Sequence, residues 1–334
     1  MDINLVIAGR LHRDTLLPAI GRPLIDVPGG NLLYAATGAA VWGVSVGLLA
    51  RVGEDYPQEW LEQFKEHGLD PRGVQILPEA LDLRFFQASL DLQTVQHTNP
   101  LSHFARLGLP FPKSLLGYQP PLDADDDRMA ASPASPRPED IPPEYLEVHS
   151  VHLCPLDFLT HTRLHSAFRQ AGVTTLTLDP SPGYFTGPAR EKVRSLVHGL
   201  TAFLPDEQEL RRFFWGQSSD LWEMAEEVAS FGCELVVVKR GAHGQMLFDA
   251  RARKRYEIPA YPARTVDPTG AGDSFCGGFL AGYQSSYDPL QAVLLGNISA
   301  SLAIEGSGAF HVLSALPGLA QARLDSLRRV VQRV

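Results

Sequence analysis

Cysteine is scarce in this chain: Cys154, Cys233 and Cys276 are the only three in 334 residues. They are odd in number, far apart and in neither a CxxC nor a metal-ligand spacing, so reduced, buried thiols are expected rather than a disulfide framework. No apolar run approaches the roughly 20 residues that span a bilayer. The start, Met1-Asp2-Ile3-Asn4, has neither a basic leader nor a cleavable apolar stretch. A cytoplasmic protein with no membrane attachment is expected. Basic residues are also in deficit, 29 Lys and Arg against 38 Asp and Glu for a net charge of -9, which argues against nucleic acid as a partner. Two common phosphate loops are missing. No Gly-Lys-Ser or Gly-Lys-Thr occurs to complete a Walker loop. Gly270-Ala271-Gly272 has Phe275 where a dinucleotide fingerprint needs its third glycine.

What the chain does carry is Val266-Asp267-Pro268-Thr269-Gly270-Ala271-Gly272-Asp273-Ser274-Phe275. The amides of Gly270, Ala271, Gly272 and Asp273 would lie at a helix N-terminus, where unpaired N–H groups and the macrodipole favour an anion. A carboxylate inside an anion cradle repels phosphate unless it has chemistry to do. Accepting the proton of a hydroxyl that attacks a phosphoryl group is such chemistry, and it makes Asp273 the candidate general base. An acid in the first helical turn, stabilised by the dipole alone, is the plainer alternative.

Strand-like apolar runs alternate with amphipathic helical ones along most of the chain, the mark of an α/β protein with a doubly wound, mostly parallel central sheet and helices on both faces. Expected strands include 4–8, 44–50, 148–153, 174–178, 202–204 and 235–238, with 245–248 and 255–258 as antiparallel additions. Helices are expected at 32–42, capped by Asn31, and at 158–171, 207–214, 221–231, 289–303 and 314–331. Within 83–96, Phe86, Ala88, Leu90 and Leu92 alternate with polar residues, as in half-buried strands. From 111 to 143, Pro, Ala, Ser and Asp dominate, which reads as a surface insertion.

The signature resembles that of the ribokinase-like family of carbohydrate kinases, also called the PfkB family. Other family marks follow in order: Gly29-Gly30 before a helix, Asp206-Glu207-Gln208-Glu209 for the family's Asn-x-x-Glu, and Gly241-Ala242-His243-Gly244 after a strand. The resemblance implies a single domain over 1–334 with a small β lid drawn from about 10–26 and 81–108, a surface often used for homodimerisation. It implies ATP and Mg²⁺ as cofactors. Gly9-Arg10-Leu11-His12-Arg13-Asp14 resembles the family's Gly-x-x-Asn-x-Asp, so Asp14 and His12, with Gly29, Gly30 and Tyr34, become the expected acceptor site. Tyr34 and His12 each replace a family Asn. Gly241, Ala242, Gly244, Asn297 and Ala300 become the expected ATP contacts, and Asp206 and Glu209 the Mg²⁺ side, acting through water. The family's monovalent cation, K⁺, would fall at Asp267, where Pro268 replaces the usual Thr.

Together these features imply a kinase that moves phosphate from ATP to an alcohol of a sugar or sugar-like small molecule. A nucleoside kinase is the close alternative, because the Tyr34 ring can stack on a base. A non-catalytic ligand sensor of the same fold is a further one, opposed by the intact Asp273 and anion loop.

Overall fold

A computed structural model describes residues 3–92, 94–120 and 131–333. The first half runs β1 (Leu5–Ala8), β2 (His12–Leu17), β3 (Leu24–Gly29), α1 (Asn31–Ala40), β4 (Val46–Gly53), α2 (Gln58–Glu66), β5 (Leu69–Leu77), β6 (Arg84–Ser89), β7 (Val95–Gln96) and α3 (Pro100–Arg106). It continues with β8 (Ser150–Leu153), α4 (Phe158–Gln170), β9 (Thr175–Leu178), α5 (Arg190–Val197), β10 (Ala202–Phe203), α6 (Glu207–Phe213), α7 (Leu221–Ser230), β11 (Leu235–Lys239), β12 (Gln245–Asp249) and β13 (Lys254–Ile258). Helices α8 (Ala271–Ser286), α9 (Pro289–Ala303) and α10 (Leu319–Arg328) precede a short β14 (Gln332–Arg333).

The main sheet has the order β14-β13-β12-β11-β10-β9-β8-β1-β4-β5. From β5 to β11 every pairing is parallel, and β12, β13 and β14 add antiparallel at one edge. Strand periodicity explains the layers. Val6 and Ala8 of β1 face a core shared with α4 to α7, while Leu5 and Ile7 face one shared with α1 and α8. Helices therefore cover both faces, as parallel strands buried on both sides require. A second sheet, β3-β2-β6-β7, stands apart from the first and contains the strands expected for the lid.

Several local expectations need correction. Asn31 does not cap α1: Gly30, at φ 96°, holds the N-cap position, and the Asn31 carboxamide instead takes the Arg10 amide and donates to Pro155 O. The helix expected over 314–331 is interrupted because Pro317 cannot continue the first turn and Gly318 turns left-handed at φ 81°, so α10 starts only at Leu319. The segment 111–143 is less solvated than its composition suggests. Leu115 and Tyr118 are buried with Leu17, Phe86, Ala88 and Phe104 beneath the small sheet. At its far end Asp140 accepts from Arg51 Nε and Nη2 at 2.6 and 2.8 Å, with both side chains under a tenth exposed. The middle of the segment, 121–130, lies outside the described residues.

Removing one partner of such a pair leaves the other charge buried, whereas removing both does not. Arg51→Ala should therefore cost about 3–5 kcal/mol in urea unfolding, and adding Asp140→Ala should recover part of that loss. An Arg51→Ala variant as stable as the wild type would show that the pair does not hold this segment down.

Candidate active site

The parallel strands of the main sheet bring their carboxyl ends together, and the loops beyond them form the site. One cleft of about 260 Å³ is lined by His12 and Asp14 from β2, Gly30, Asn31 and Tyr34 around the start of α1, and Phe85 and Gln87 from β6. Thr269, Gly270 and Asp273 close it from the side of α8. The expected acceptor residues and the expected base thus share one cavity. Gly29 lies just behind it, where a Cβ would sit 1.8 Å from Asp14 Oδ2, so only glycine lets the carboxyl stand there.

Of the four amides expected to form an anion cradle, that of Ala271 is already engaged. Gly270 is left-handed, at φ 72°, and caps α8, with the Tyr34 ring so close that a Cβ would lie 2.0 Å from it. The Ala271 amide is occupied by Pro268 O at 3.2 Å. Gly272 and Asp273, the second and third residues of α8, have no partner four residues back inside the helix, so their amides head the dipole.

Burial controls the charges. It pushes the Asp273 carboxyl up to about 7, with Asp179 adding to the effect and Lys239 opposing it. It pushes Asp14 up to about 8, reinforced by Asp267 and Asp273 and partly offset by the Gly30 amide. His12 is driven down to about 4 by burial and by Arg10, so it is a neutral imidazole at pH 7. Its ring stacks on Phe85 at 5.5 Å and 21°. Phe85 in turn packs against His97 at 5.2 Å. Asp14 Oδ1 and the Tyr34 hydroxyl are buried with no hydrogen-bond partner. Buried polar atoms are rarely left unpaired, so both are candidates to meet a ligand.

The residues expected to meet the nucleotide play mixed roles. Asp206 and Glu209 form a capping box on α6: Asp206 Oδ1 accepts from the Glu209 amide at 2.7 Å and Glu209 Oε2 from the Asp206 amide at 2.9 Å. Glu209 is nevertheless pushed up to about 8, by burial first and then by Asp179 and Asp206. Among the described residues no three ligating side chains converge, so a cation here would complete its shell with phosphate oxygens and water, as Mg²⁺ commonly does. Asp267 uses Oδ1 on Thr269 and leaves Oδ2 buried and unpaired, a donor atom fit for a cation.

Gly241–His243 make the turn between β11 and β12, closed by the Arg240 amide on Gly244 O, with Gly241 and Ala242 exposed at its tip. Asn297 is different. Its carboxamide donates to Gln245 Oε1 and Pro259 O and accepts from the Tyr261 amide, and the residue is 3% exposed. It fastens α9 to β12 and to the loop after β13, and Ala300 is half-buried on the same helix. The expected site left out Phe85, Gln87 and Thr269, which line the cleft, and Lys239, which lies beside the start of α8. Phe85 and Gln87 sit on the small sheet, and Lys239 pairs with Asp179 at 2.5 Å across the ends of β11 and β9. The terminal Lys of an apolar strand and the Asp after another, 60 residues apart, were the available signal.

The chain matches the model of the pfkB family of carbohydrate kinases over residues 130–315. It is 30% identical to a cytidine kinase of Thermococcus kodakarensis, covering 88% of this chain and 93% of that one. With a 2-dehydro-3-deoxygluconokinase of Thermoproteus tenax it shares 25% over 86% of its length. Its fold is that of an E. coli protein assigned as a ribokinase II and solved with ATP and Mg²⁺, at TM-score 0.73, 18% identity and coverage of 98% and 99% of the two chains. A nucleoside kinase of Burkholderia thailandensis bound to inosine superposes with TM-score 0.67 at 19% identity over 99% of this chain and all of its own. A family match across more than half the sequence, joined to a 30% identical kinase that aligns along nearly all of it, means that the chain belongs to the pfkB family of carbohydrate kinases.

Proposed function

We propose that the chain transfers the γ-phosphoryl group of ATP to a sugar hydroxyl of an uncharged nucleoside. The observation that carries this is the composition of the acceptor cleft. Two carboxyls, a neutral imidazole and two further aromatic rings line it, and no Lys or Arg is among its described lining residues. A sugar acid or sugar phosphate would bring its own anion into that setting without a counter-charge, which costs heavily in a buried site. A nucleoside brings hydroxyls for Asp14 and a flat apolar base for Phe85, His12 and Tyr34. The cytidine kinase relative supports this reading.

In the reaction the acceptor oxygen forms its bond to Pγ as the bond from Pγ to the β,γ-bridging oxygen breaks, and ADP departs. The acceptor proton passes to the Asp273 carboxylate. With a pKa near 7 that group is a competent base at neutral pH and not yet so weak that it stays ionised without effect. The Gly272 and Asp273 amides, with the dipole of α8, face the charge that spreads over the transferring group. Asp14 orients the acceptor. Mg²⁺ would be held from the protein side by Asp206 and Glu209 through water, and it supplies charge neutralisation on the phosphates. Asp267 Oδ2 would take a K⁺. The exposed tip of Gly241 and Ala242 would pass the nucleotide. The reading places the enzyme in the cytoplasm, with the outer face of the small sheet as its dimerisation surface.

Asp273→Asn should keep ATP binding and lower kcat by roughly 10² to 10⁴. In the wild type, kcat/KM for the acceptor should rise with pH through about 7, because only the ionised carboxyl is a base. Near wild-type turnover in Asp273→Asn would remove the residue from the chemistry. Phe85→Ala should raise the nucleoside KM about tenfold while leaving the ATP KM within twofold, the signature of lost ground-state contact. A screen of ATP consumption decides the acceptor class: nucleosides should be turned over, and selective turnover of a sugar acid or sugar phosphate would refute the nucleoside assignment.

A further inference from the structure

Lys239 ends β11, and its side chain reaches across β10 to Asp179 at the end of β9. Both side chains are nearly buried, at 12% and 5% exposure. A buried ion pair of this kind stabilises a fold poorly compared with apolar packing, so its presence at the functional edge of the sheet needs another reason. The position of the ammonium supplies one. Nζ lies 3.6 Å from where a Cβ on Gly272 would be, which puts it directly beside the backbone turn whose amides form the anion cradle.

Carboxyls crowd this point. Asp179 from the end of β9, Glu209 from the start of α6 and Asp273 from α8 all feel the ammonium, Asp206 adds to the field at Asp179 and Glu209, the Cys276 thiol is 3.7 Å away, and neutral His152 lies on β8. Burial alone would lower the Lys239 pKa, but Asp179, Cys276 and Glu209 together hold it well above the ordinary lysine value, so it is charged.

We propose that Lys239 is a catalytic residue that contacts the polyphosphate of ATP through its ammonium, beside the Gly272 turn, and that Asp179 is its positioning residue. The proposal rests on the kinase reading above. A point charge at this place would offset the negative charge that ATP brings next to four carboxyls, a task two amides cannot perform alone. It would also favour the ionised form of Asp273, since the two groups feel one another.

Calorimetry with ATP, tripolyphosphate and adenosine on the wild type, Lys239→Met, Lys239→Arg and the double variant Asp179→Asn/Lys239→Met tests it. A charge-assisted hydrogen bond is worth about ten- to a hundredfold in affinity. Lys239→Met should lose that much for ATP and tripolyphosphate and less than twofold for adenosine. Lys239→Arg should recover part of it. The double variant removes the orphaned Asp179 charge, so a folding defect would be relieved in it while the triphosphate loss would persist. In Lys239→Met the acidic limb of kcat/KM should also move to higher pH, because the cation that favours ionised Asp273 is gone. Unchanged triphosphate affinity in Lys239→Met, or full recovery in the double variant, would overturn the proposal. A wild type that binds adenosine but gains nothing from the phosphates would overturn the kinase reading itself, and this proposal with it.

Discussion

The burial of carboxyls at the carboxyl ends of parallel strands is the constraint on which the rest of this structure depends. Asp14, Asp273 and Glu209 are all pushed up to about 7 or 8, chiefly by loss of water and then by neighbouring carboxylates, Asp179 foremost for Asp273 and Glu209. Taking a carboxylate out of water is expensive, and several in one place more so. The protein meets that cost with the backbone amide of Gly30 on Asp14, the capping box on Glu209, the dipole of α8 under Asp273 and the ammonium of Lys239. The result is a set of groups whose charge can change at neutral pH, which is the property general-base chemistry requires.

Close packing of α1 on α8 fixes where that set sits. A Cβ on Gly277 would lie 1.8 Å from Ala35 O, and the Ser274 hydroxyl donates to Tyr34 O at 3.2 Å. These contacts bring the Tyr34 ring onto Gly270, so the aromatic wall of the proposed acceptor cleft and the cap of α8 are one unit. The small sheet closes the same unit from the other side, with Gln87 Nε2 donating to Thr269 Oγ1 at 2.5 Å, and Thr269 Oγ1 in turn to Asp267 Oδ1 at 2.6 Å. The proposed acceptor seat, phosphate cradle and cation ligand are therefore linked through short contacts rather than through distant parts of the fold.

Much of this was legible in the sequence, because the physics involved is local. Alternating strand and helix patterns gave the parallel sheet, and the antiparallel edge of β12 and β13 followed from their short polar-apolar runs. The Gly270-Ala271-Gly272-Asp273 turn announces itself by residue type alone. Strand β5 was not visible because Pro71 and Gly73 interrupt it, and it tolerates them only because it forms the sheet edge and carries a register shift against β4. The use of the Ala271 amide by Pro268, and of the Asn297 carboxamide by three neighbours, depends on loop geometry that no residue spacing encodes. The Lys239–Asp179 pair joins two strand ends brought together only by the order of the sheet.

The central claim is that buried carboxyls in this site hold protons well above the ordinary carboxylate range. Denaturant unfolding followed from pH 5 to pH 8 without ligand tests it most directly. Groups with raised native pKa values bind more protons folded than unfolded across that window, so their contribution is full below about 4 and is lost as pH rises through about 7 to 8. Buried neutral histidines such as His12 contribute with the opposite sign up to about pH 6.5 and are common to both proteins, so the account predicts that the Asp14→Asn/Asp273→Asn double variant gains stability relative to the wild type as pH rises from 5 to 8. A double variant with the same pH dependence as the wild type would contradict it.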